Sequence, residues 1–434
     1  MPLTRDDAPH TNADVAAVAV RLLDAWSARR REGTAGATPG EHPGDPGVPV
    51  LAALVHGART PGAEESAARA VAVWAGTAGR GPGHRGLYDG GLAGTLVGLR
   101  LGGLVQPRLL AVADRLEDHL VRGATAGGWR RERVTFPDYD LIVGPGGILL
   151  ALCAGARPAP RRLRPFTEHL ALLCDTEQLP RLRTAGYAGH PHLDWLNGRI
   201  NTGMGHGVAG VTAALTAAIR HLGPAPVPPA DPEPAQQSPH ADTGPALGTG
   251  SGPALRTALR HATGWLRRQS FVDARAIRTW DGAGLDGPPP AGPRARQAWC
   301  YGTPGVSWAL WDAADATGDQ ETAAWAAAAF TTLAERYDEG FHLYGDRPAD
   351  VLGLCHGAAG VLAVADAFDR HARLPAAAGL KERLLAYVLD RLPAVEALGG
   401  ESMALLGGAA GSLCAVLTAT HGASRAWLPC LGLR

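Results

Sequence analysis

Two cysteines and a histidine, in two motifs that each end in a glycine, are the residues of this chain whose types and spacing point most directly to chemistry. They sit in Trp299-Cys300-Tyr301-Gly302 and Cys355-His356-Gly357. Two thiols and an imidazole are the ligand set of a zinc ion with one coordination position left open, and an open position points to catalysis. The substrate that suits it is a thiol, since a free thiol titrates at about 8.5 and coordination to zinc removes its proton near neutral pH. Taken singly, a cysteine beside a histidine is more often a buried small hydrophobe than a ligand. Two such sites at equivalent places in a repeat shift that balance.

The repeat is visible as a small-residue turn followed by an apolar helix. It occurs at Gly90-Gly91-Leu92-Ala93-Gly94, Gly144-Pro145-Gly146-Gly147, Gly205-His206-Gly207-Val208-Ala209-Gly210, Tyr301-Gly302-Thr303-Pro304-Gly305, His356-Gly357-Ala358-Ala359-Gly360 and Gly407-Gly408-Ala409-Ala410-Gly411. Most starts are roughly 50 to 65 residues apart, the length of two helices with their loops, and the longer gap before the fourth holds an insertion. Helices after the turns, such as 147–152 and 360–365, are apolar nearly all round, as buried helices must be. Between them lie amphipathic stretches such as Leu109 to Val121 and Leu380 to Leu392, whose charged faces suit an outer layer. Alternating inner and outer helices predict an all-α fold, an α/α toroid in one domain over 15–434. An open superhelical solenoid is the alternative that the repeat alone leaves standing. Strand signals are scarce. The turn glycines answer a need for positive φ or for close backbone approach.

In a toroid the inner-helix N-terminal turns converge on one end of the ring. Cys300, Cys355 and His356 can therefore meet, with His206 and Asp140 beside them from earlier turns.

Composition narrows the function. Of 434 residues 46% are hydrophobic, enough for a large core, and 41 basic residues balance 41 acidic ones, so nothing marks the chain as a nucleic-acid or membrane-surface binder. The start of the chain, carrying Asp6, Asp7 and Asp14, lacks the order of a secretory signal, and 1–14 reads as a flexible N-terminus. The longest apolar stretch, Leu141 to Ala156, is too short to span a bilayer and is broken by Gly144-Pro145-Gly146-Gly147. Six cysteines in so long a chain suit reduced thiols in a cytoplasm. Cys153 and Cys414 fall in apolar helix runs and read as core, and the same holds for Trp299, Trp308 and Trp311, which also suit a pocket wall. His84, His190 and His192 read as solvated loop histidines. Residues 32–48 have loop composition, 223–253 read as a Pro/Gly-rich disordered insertion, and the Pro288-to-Pro293 loop is placed at the rim of the site.

With these motifs in order, Asn201-Thr202-Gly203-Met204-Gly205-His206-Gly207, Trp299-Cys300-Tyr301-Gly302 and Cys355-His356-Gly357, the chain resembles the lanthionine synthetase C-like cyclases over most of its length. Gly205 stands where the family prefers alanine. The resemblance implies a toroid of seven inner and seven outer helices, of which six repeats are visible and the seventh is placed near the N-terminus. It implies a catalytic zinc on Cys300, Cys355 and His356, and thioether ring formation in a ribosomal peptide. By position His206 and Asp140 match the family's active-site histidine and aspartate, and Arg296 and Tyr301 match two further polar site positions.

The chemistry suits these residues. A thiolate adding to the β-carbon of dehydroalanine or dehydrobutyrine leaves charge on an enolate, which His206 can protonate or hydrogen-bond. Asp140 orients His206 or takes the thiol proton, and Arg296 steadies the enolate or holds Asp140. The implied partners are a dehydrated precursor peptide with its leader and a separate dehydratase, with no nucleic acid. The implied location is cytoplasmic, at most peripheral to a membrane-associated complex. Two other readings are a family member that adds glutathione to dehydrated residues and a non-catalytic scaffold that binds peptide.

Overall fold

The computed structural model describes residues 12–32, 42–58, 60–80, 83–126, 128–222, 251–421 and 423–434. Numbered along the chain, seven helices form an inner layer: α2 (Gly47–His56), α4 (Leu92–Gly102), α6 (Pro145–Cys153), α8 (Val208–Leu222), α10 (Thr303–Thr317), α14 (Ala358–Ala372) and α17 (Ala409–His421). Seven more lie outside them: α1 (Asn12–Arg31), α3 (Ala63–Thr77), α5 (Leu110–Thr125), α7 (Pro160–Leu173), α9 (Ser251–Arg268), α11 (Gln320–Ala334) and α15 (Pro375–Leu389). Short helices α12 (Glu339–His342), α13 (Pro348–Leu352) and α16 (Leu392–Glu401) lie in the connections after α11 and α15. The only sheet among the described residues is the antiparallel pair β1 (Phe271–Val272) and β2 (Arg278–Thr279).

The division into layers follows from the side chains. Every residue of α6 is buried, so that helix has no face for water. In α15 only Ala377, Leu380, Leu384 and Val388 are buried, a stripe at helical spacing, and covering each Leu or Val there contributes about 1.5–3 kcal/mol.

The inner helices pack in the order α2, α4, α6, α8, α10, α14, α17 and back to α2, which closes the ring and rules out the open solenoid. The seventh repeat is α2, near the N-terminus as the resemblance implied. The first described helix, outer α1, packs on the last inner helix, α17, and makes the closing pair. Arg21 reaches Glu396 at 2.9 Å and Arg29 donates to the Gly399 carbonyl at 2.9 Å, fixing α1 to α16 as well.

The middle of the ring is filled by the segment that follows α17. Trp427, Leu428, Cys430, Leu431 and Leu433 are buried. The carbonyl of Cys430 accepts from the Tyr88 hydroxyl (2.6 Å), that of Leu431 from the Trp299 indole (2.8 Å) and that of Gly432 from the Trp308 indole (2.9 Å). Three successive backbone acceptors thus satisfy the polar handles of three buried aromatics.

At one end of the ring the turns before the inner helices are tied to one another through the backbone. Leu87 and Tyr88 donate to the Ile142 carbonyl (3.0 Å each), Leu141 to Gly205 (3.0 Å), Met204 to Cys300 (2.8 Å), Cys300 to Cys355 (3.4 Å), and Leu354 and Cys355 to Leu406 (3.0 and 3.1 Å). Leu405 in turn donates to the Asp45 carboxylate at 2.8 Å, which also caps Gly47 at 2.8 Å.

Two sequence expectations fall mostly outside the described residues. Of the 1–14 segment only 12–14 are described, and they begin α1; of 223–253 only 251–253 are described, and they begin α9.

Two glycine substitutions test this arrangement. A Cβ at Gly360 would run into the Leu354 carbonyl oxygen, whereas nothing lies within 4 Å of a Cβ at Gly379 on α15. Gly360→Ala is expected to destabilise the fold by about 3 kcal/mol, and Gly379→Ala to stabilise it by about 0.5–1 kcal/mol, as read from chemical denaturation.

Candidate active site

The repeat phase explains which side chains meet. Cys300 and Cys355 each lie five residues before the glycine of their inner helix, Gly305 and Gly360. His206, Tyr301 and His356 each lie four residues before theirs, Gly210, Gly305 and Gly360. Equivalent positions on neighbouring turns of a closed ring face one another. The turn holding Cys300 is shaped by Gly302, whose φ of +84° a side chain would rarely adopt, and by Gln297, which accepts from Thr303 N at 2.8 Å at the start of α10.

The ligand atoms of Cys300, Cys355 and His356 all lie within 4.8 Å of one another. Zinc with bonds of about 2.0–2.3 Å to nitrogen and sulfur spans such a group with little closure, and two sulfurs with one imidazole are donors it favours. The residues therefore fit the metal that the sequence implied. Electrostatics favour a thiolate here even before an ion is considered. Hydrogen bonding with Cys300 holds the Cys355 thiol well below its ordinary range, and His356 adds to the pull. Burial pushes the Cys300 thiol well up, and the hydrogen bond to Cys355 raises His356. No other described His, Cys, Asp or Glu completes the group: Cys153, Cys174, Cys414 and Cys430 are buried elsewhere, so a closed structural site is not built.

Across the cavity stands a second group. His206 Nδ1 is 2.6 Å from Asp140 Oδ2, and the other oxygen of that fully buried carboxylate accepts from Val143 N (2.9 Å) and Gly144 N (2.7 Å). Burial raises the Asp140 pKa, while its bonds to His206 and the two amides pull it back down. A carboxylate only accepts, so Nδ1 carries the proton and Nε2 is the atom left for a ligand. The His206 ring stacks on Phe136 with centroids 4.2 Å apart, and its own carbonyl accepts from the Tyr139 hydroxyl at 2.9 Å. The imidazole is thus fixed by an edge, a face and its backbone.

Tyr301 and Arg296, matched together by the resemblance, make different contacts. The Tyr301 hydroxyl accepts from Asn201 Nδ2 at 2.8 Å, and Asn201 is itself oriented by Gly203 N on its Oδ1. Burial pushes the phenol well up, so it keeps a proton to donate. Arg296 lies over the Tyr344 ring, 3.9 Å from its centroid, and donates weakly to that residue's carbonyl. It does not hold Asp140, but its charge favours the thiolate form of Cys300 and opposes protonation of His356.

A cavity of about 410 Å³ joins these groups. His206, Cys355 and His356 line it together with Tyr88, Ile142, Asp350 and the turn before α17. The Pro288-to-Pro293 loop is mostly exposed and does not line that cavity. Phe136, Tyr88 and Asp350 were missed in the sequence. Tyr88 stands next to the Gly90-Gly91 turn, so repeat phase pointed to it, whereas Asp350, 3.7 Å from His356 Nδ1, carries no motif of its own.

The chain thus forms a closed double ring of seven inner and seven outer helices, with Cys, Cys and His gathered on adjacent turns. Residues 253–431 match the family model described as lanthionine synthetase C-like protein. The fold of the chain is similar to that of the solved structure of nisin cyclase, with a TM-score of 0.72 and 19% identity over 97% of this chain and 98% of that one. No curated protein matches the chain. Asp140 and His206 lie outside the matched span, so their assignment stands on the geometry above.

Asp140→Asn tests the orientation of the imidazole. The variant is expected to lose the preference for the Nδ1-protonated tautomer of His206, read by long-range proton–nitrogen NMR, while its affinity for zinc stays within about twofold of wild type.

Proposed function

We propose that this protein is a zinc-dependent lanthipeptide cyclase, which adds cysteine thiols of a dehydrated ribosomal peptide to dehydroalanine or dehydrobutyrine. The products are lanthionine and methyllanthionine rings. The observation that carries the reading is one cavity lined on one side by Cys355 and His356, with Cys300 behind them, and on the other by His206 backed by Asp140. Cys300, Cys355 and His356 would hold the zinc, whose chemistry here is to lower the pKa of a thiol so that its thiolate is present near neutral pH.

The chain's own residues supply the rest. In the addition a carbon–sulfur bond forms at the β-carbon, the π electrons move onto the neighbouring carbonyl as an enolate, and a proton must reach the α-carbon. His206 Nε2 takes up the proton that the thiol releases and returns it at the α-carbon, so the balance is closed. Asp140 supports the imidazolium that exists between those two transfers and does not itself need to change charge. Tyr301 contributes a neutral donor, and Arg296 a positive field that favours negative charge at the site. Phe136 keeps the imidazole ring from turning. A separate dehydratase supplies the dehydrated residues in this reading.

Three preparations test the proposal on a precursor peptide dehydrated beforehand. The wild-type protein is expected to hold about one zinc per chain and to close rings, seen as loss of free thiol at constant peptide mass. His206→Ala is expected to keep its zinc and slow ring closure by about a hundredfold or more. Cys355→Ala is expected to lose both. Ring closure by zinc-free protein, or at an unchanged rate by His206→Ala, refutes the assignment.

A further inference from the structure

His206 and His356 both line the cavity, and each has a carboxylate beside it. For His206 it is Asp140, at hydrogen-bond distance. For His356 it is Asp350, whose Oδ1 lies 3.7 Å from Nδ1. Asp350 sits in the middle of α13, the short helix that ends just before the Cys355-His356 turn, and it too lines the cavity. It is not one of the residues whose ligand atoms gather within 4.8 Å, so it stands beside the metal group and not in it. Among the described residues no other carboxylate pairs with His356.

The placing of Asp350 against His356 is fixed from both sides. The turn after His356 is pressed onto α13: a Cβ at Gly357 would stand 2.5 Å from the carbonyl carbon of Val351 and 2.6 Å from Leu352 N, and Gly357 N donates to the Gly353 carbonyl at 3.1 Å. The backbone that carries the imidazole therefore touches the backbone that carries the carboxylate. On the other side Arg347 holds the carboxylate, its amide donating to Oδ2 at 3.3 Å and its Nη2 to Oδ1 at 3.2 Å. Gly345, at a φ of +146°, leaves room for this side chain, since a Cβ there would collide with the Asp350 Cβ and stand 2.9 Å from its carboxyl carbon. A group tied in this way is fit to orient another.

We infer that Asp350 is the positioning residue of His356, keeping the ring proton on Nδ1 so that Nε2 is the nitrogen offered to the metal. The inference rests on the zinc-binding part of the cyclase reading and adds to it the choice of ligand atom. A neutral imidazole has one N–H and one lone pair, and only the lone pair binds a metal. A carboxylate beside Nδ1 favours the tautomer with its proton there, and the lone pair then falls on Nε2. At 3.7 Å the pair is longer than a hydrogen bond, so the preference comes from charge. An amide of the same shape in place of the carboxylate therefore removes it.

The test uses the full-length protein, labelled with nitrogen-15 in its histidines and loaded with zinc. Long-range proton–nitrogen NMR of the wild type is expected to show the His356 proton on Nδ1 and the metal on Nε2. Competition with a zinc chelator is expected to give Asp350→Asn an affinity about tenfold below wild type, with faster exchange of the Nδ1 proton. Asp89→Asn, which removes another carboxylate from the wall of the same cavity, is expected to stay within about twofold. Zinc on Nδ1 of wild-type His356, or an unchanged zinc affinity in Asp350→Asn, overturns this inference and leaves the cyclase reading intact. The first of these measurements needs no variant, so it decides the matter even where Asp350→Asn does not fold. A wild-type protein that binds no zinc overturns the cyclase reading, and this inference with it.

Discussion

The belt of backbone hydrogen bonds that ties each inner-helix turn to the next is the constraint on which the site depends. Cys300 donates its amide to Cys355 and accepts from Met204, so the turn with the first thiol is clamped between the turn of His206 and the turn of the second thiol. Apart from the Asp45 carboxylate, no side chain in the site sets these spacings. They are fixed by peptide groups that would be costly to bury unpaired, which makes the distance between the metal group and the acid–base pair a property of the ring itself. Side chains on separate turns gain in this way the rigidity usually found within one element.

Charge at the site is arranged by depth. Asp140 is fully buried and is offset by two amide donors and an imidazole, whereas Arg296 stands out over Tyr344 and acts through its field. A buried carboxylate with all its acceptors used is a fixed orienting group, and a surface guanidinium remains free to follow a ligand. Of the two roles offered for Arg296, steadying an enolate or holding Asp140, the geometry gives no contact for the second, because Asp140 is bound by His206, Val143 N and Gly144 N.

Much of this was legible in the residues. Six turns announce themselves by glycine, because close approach to a carbonyl forbids a side chain there, and the cysteines and histidines at one phase of those turns could be predicted to meet. The seventh turn hides because in it the Asp45 side chain accepts the bonds, from Leu405 and Gly47. A carboxylate in place of a peptide carbonyl leaves no repeat signature. Closure of the ring was likewise hidden, since a local pattern of helices is the same for a solenoid. Phe136 belongs to no motif, and only the packing of its ring reveals it.

The pairing of α1 with α17, and the threading of Trp427 to Leu433 through the middle, also bear on how the molecule is made. Neighbouring modules along the chain can assemble as they leave the ribosome, but the belt cannot join Leu405 to Asp45 until some 360 intervening residues have been synthesised. Tyr88, Trp299 and Trp308 wait for the same late arrival to satisfy their polar atoms. A nascent chain that has not yet reached Leu433 therefore has the cysteines but not the enclosure that gives them a common geometry.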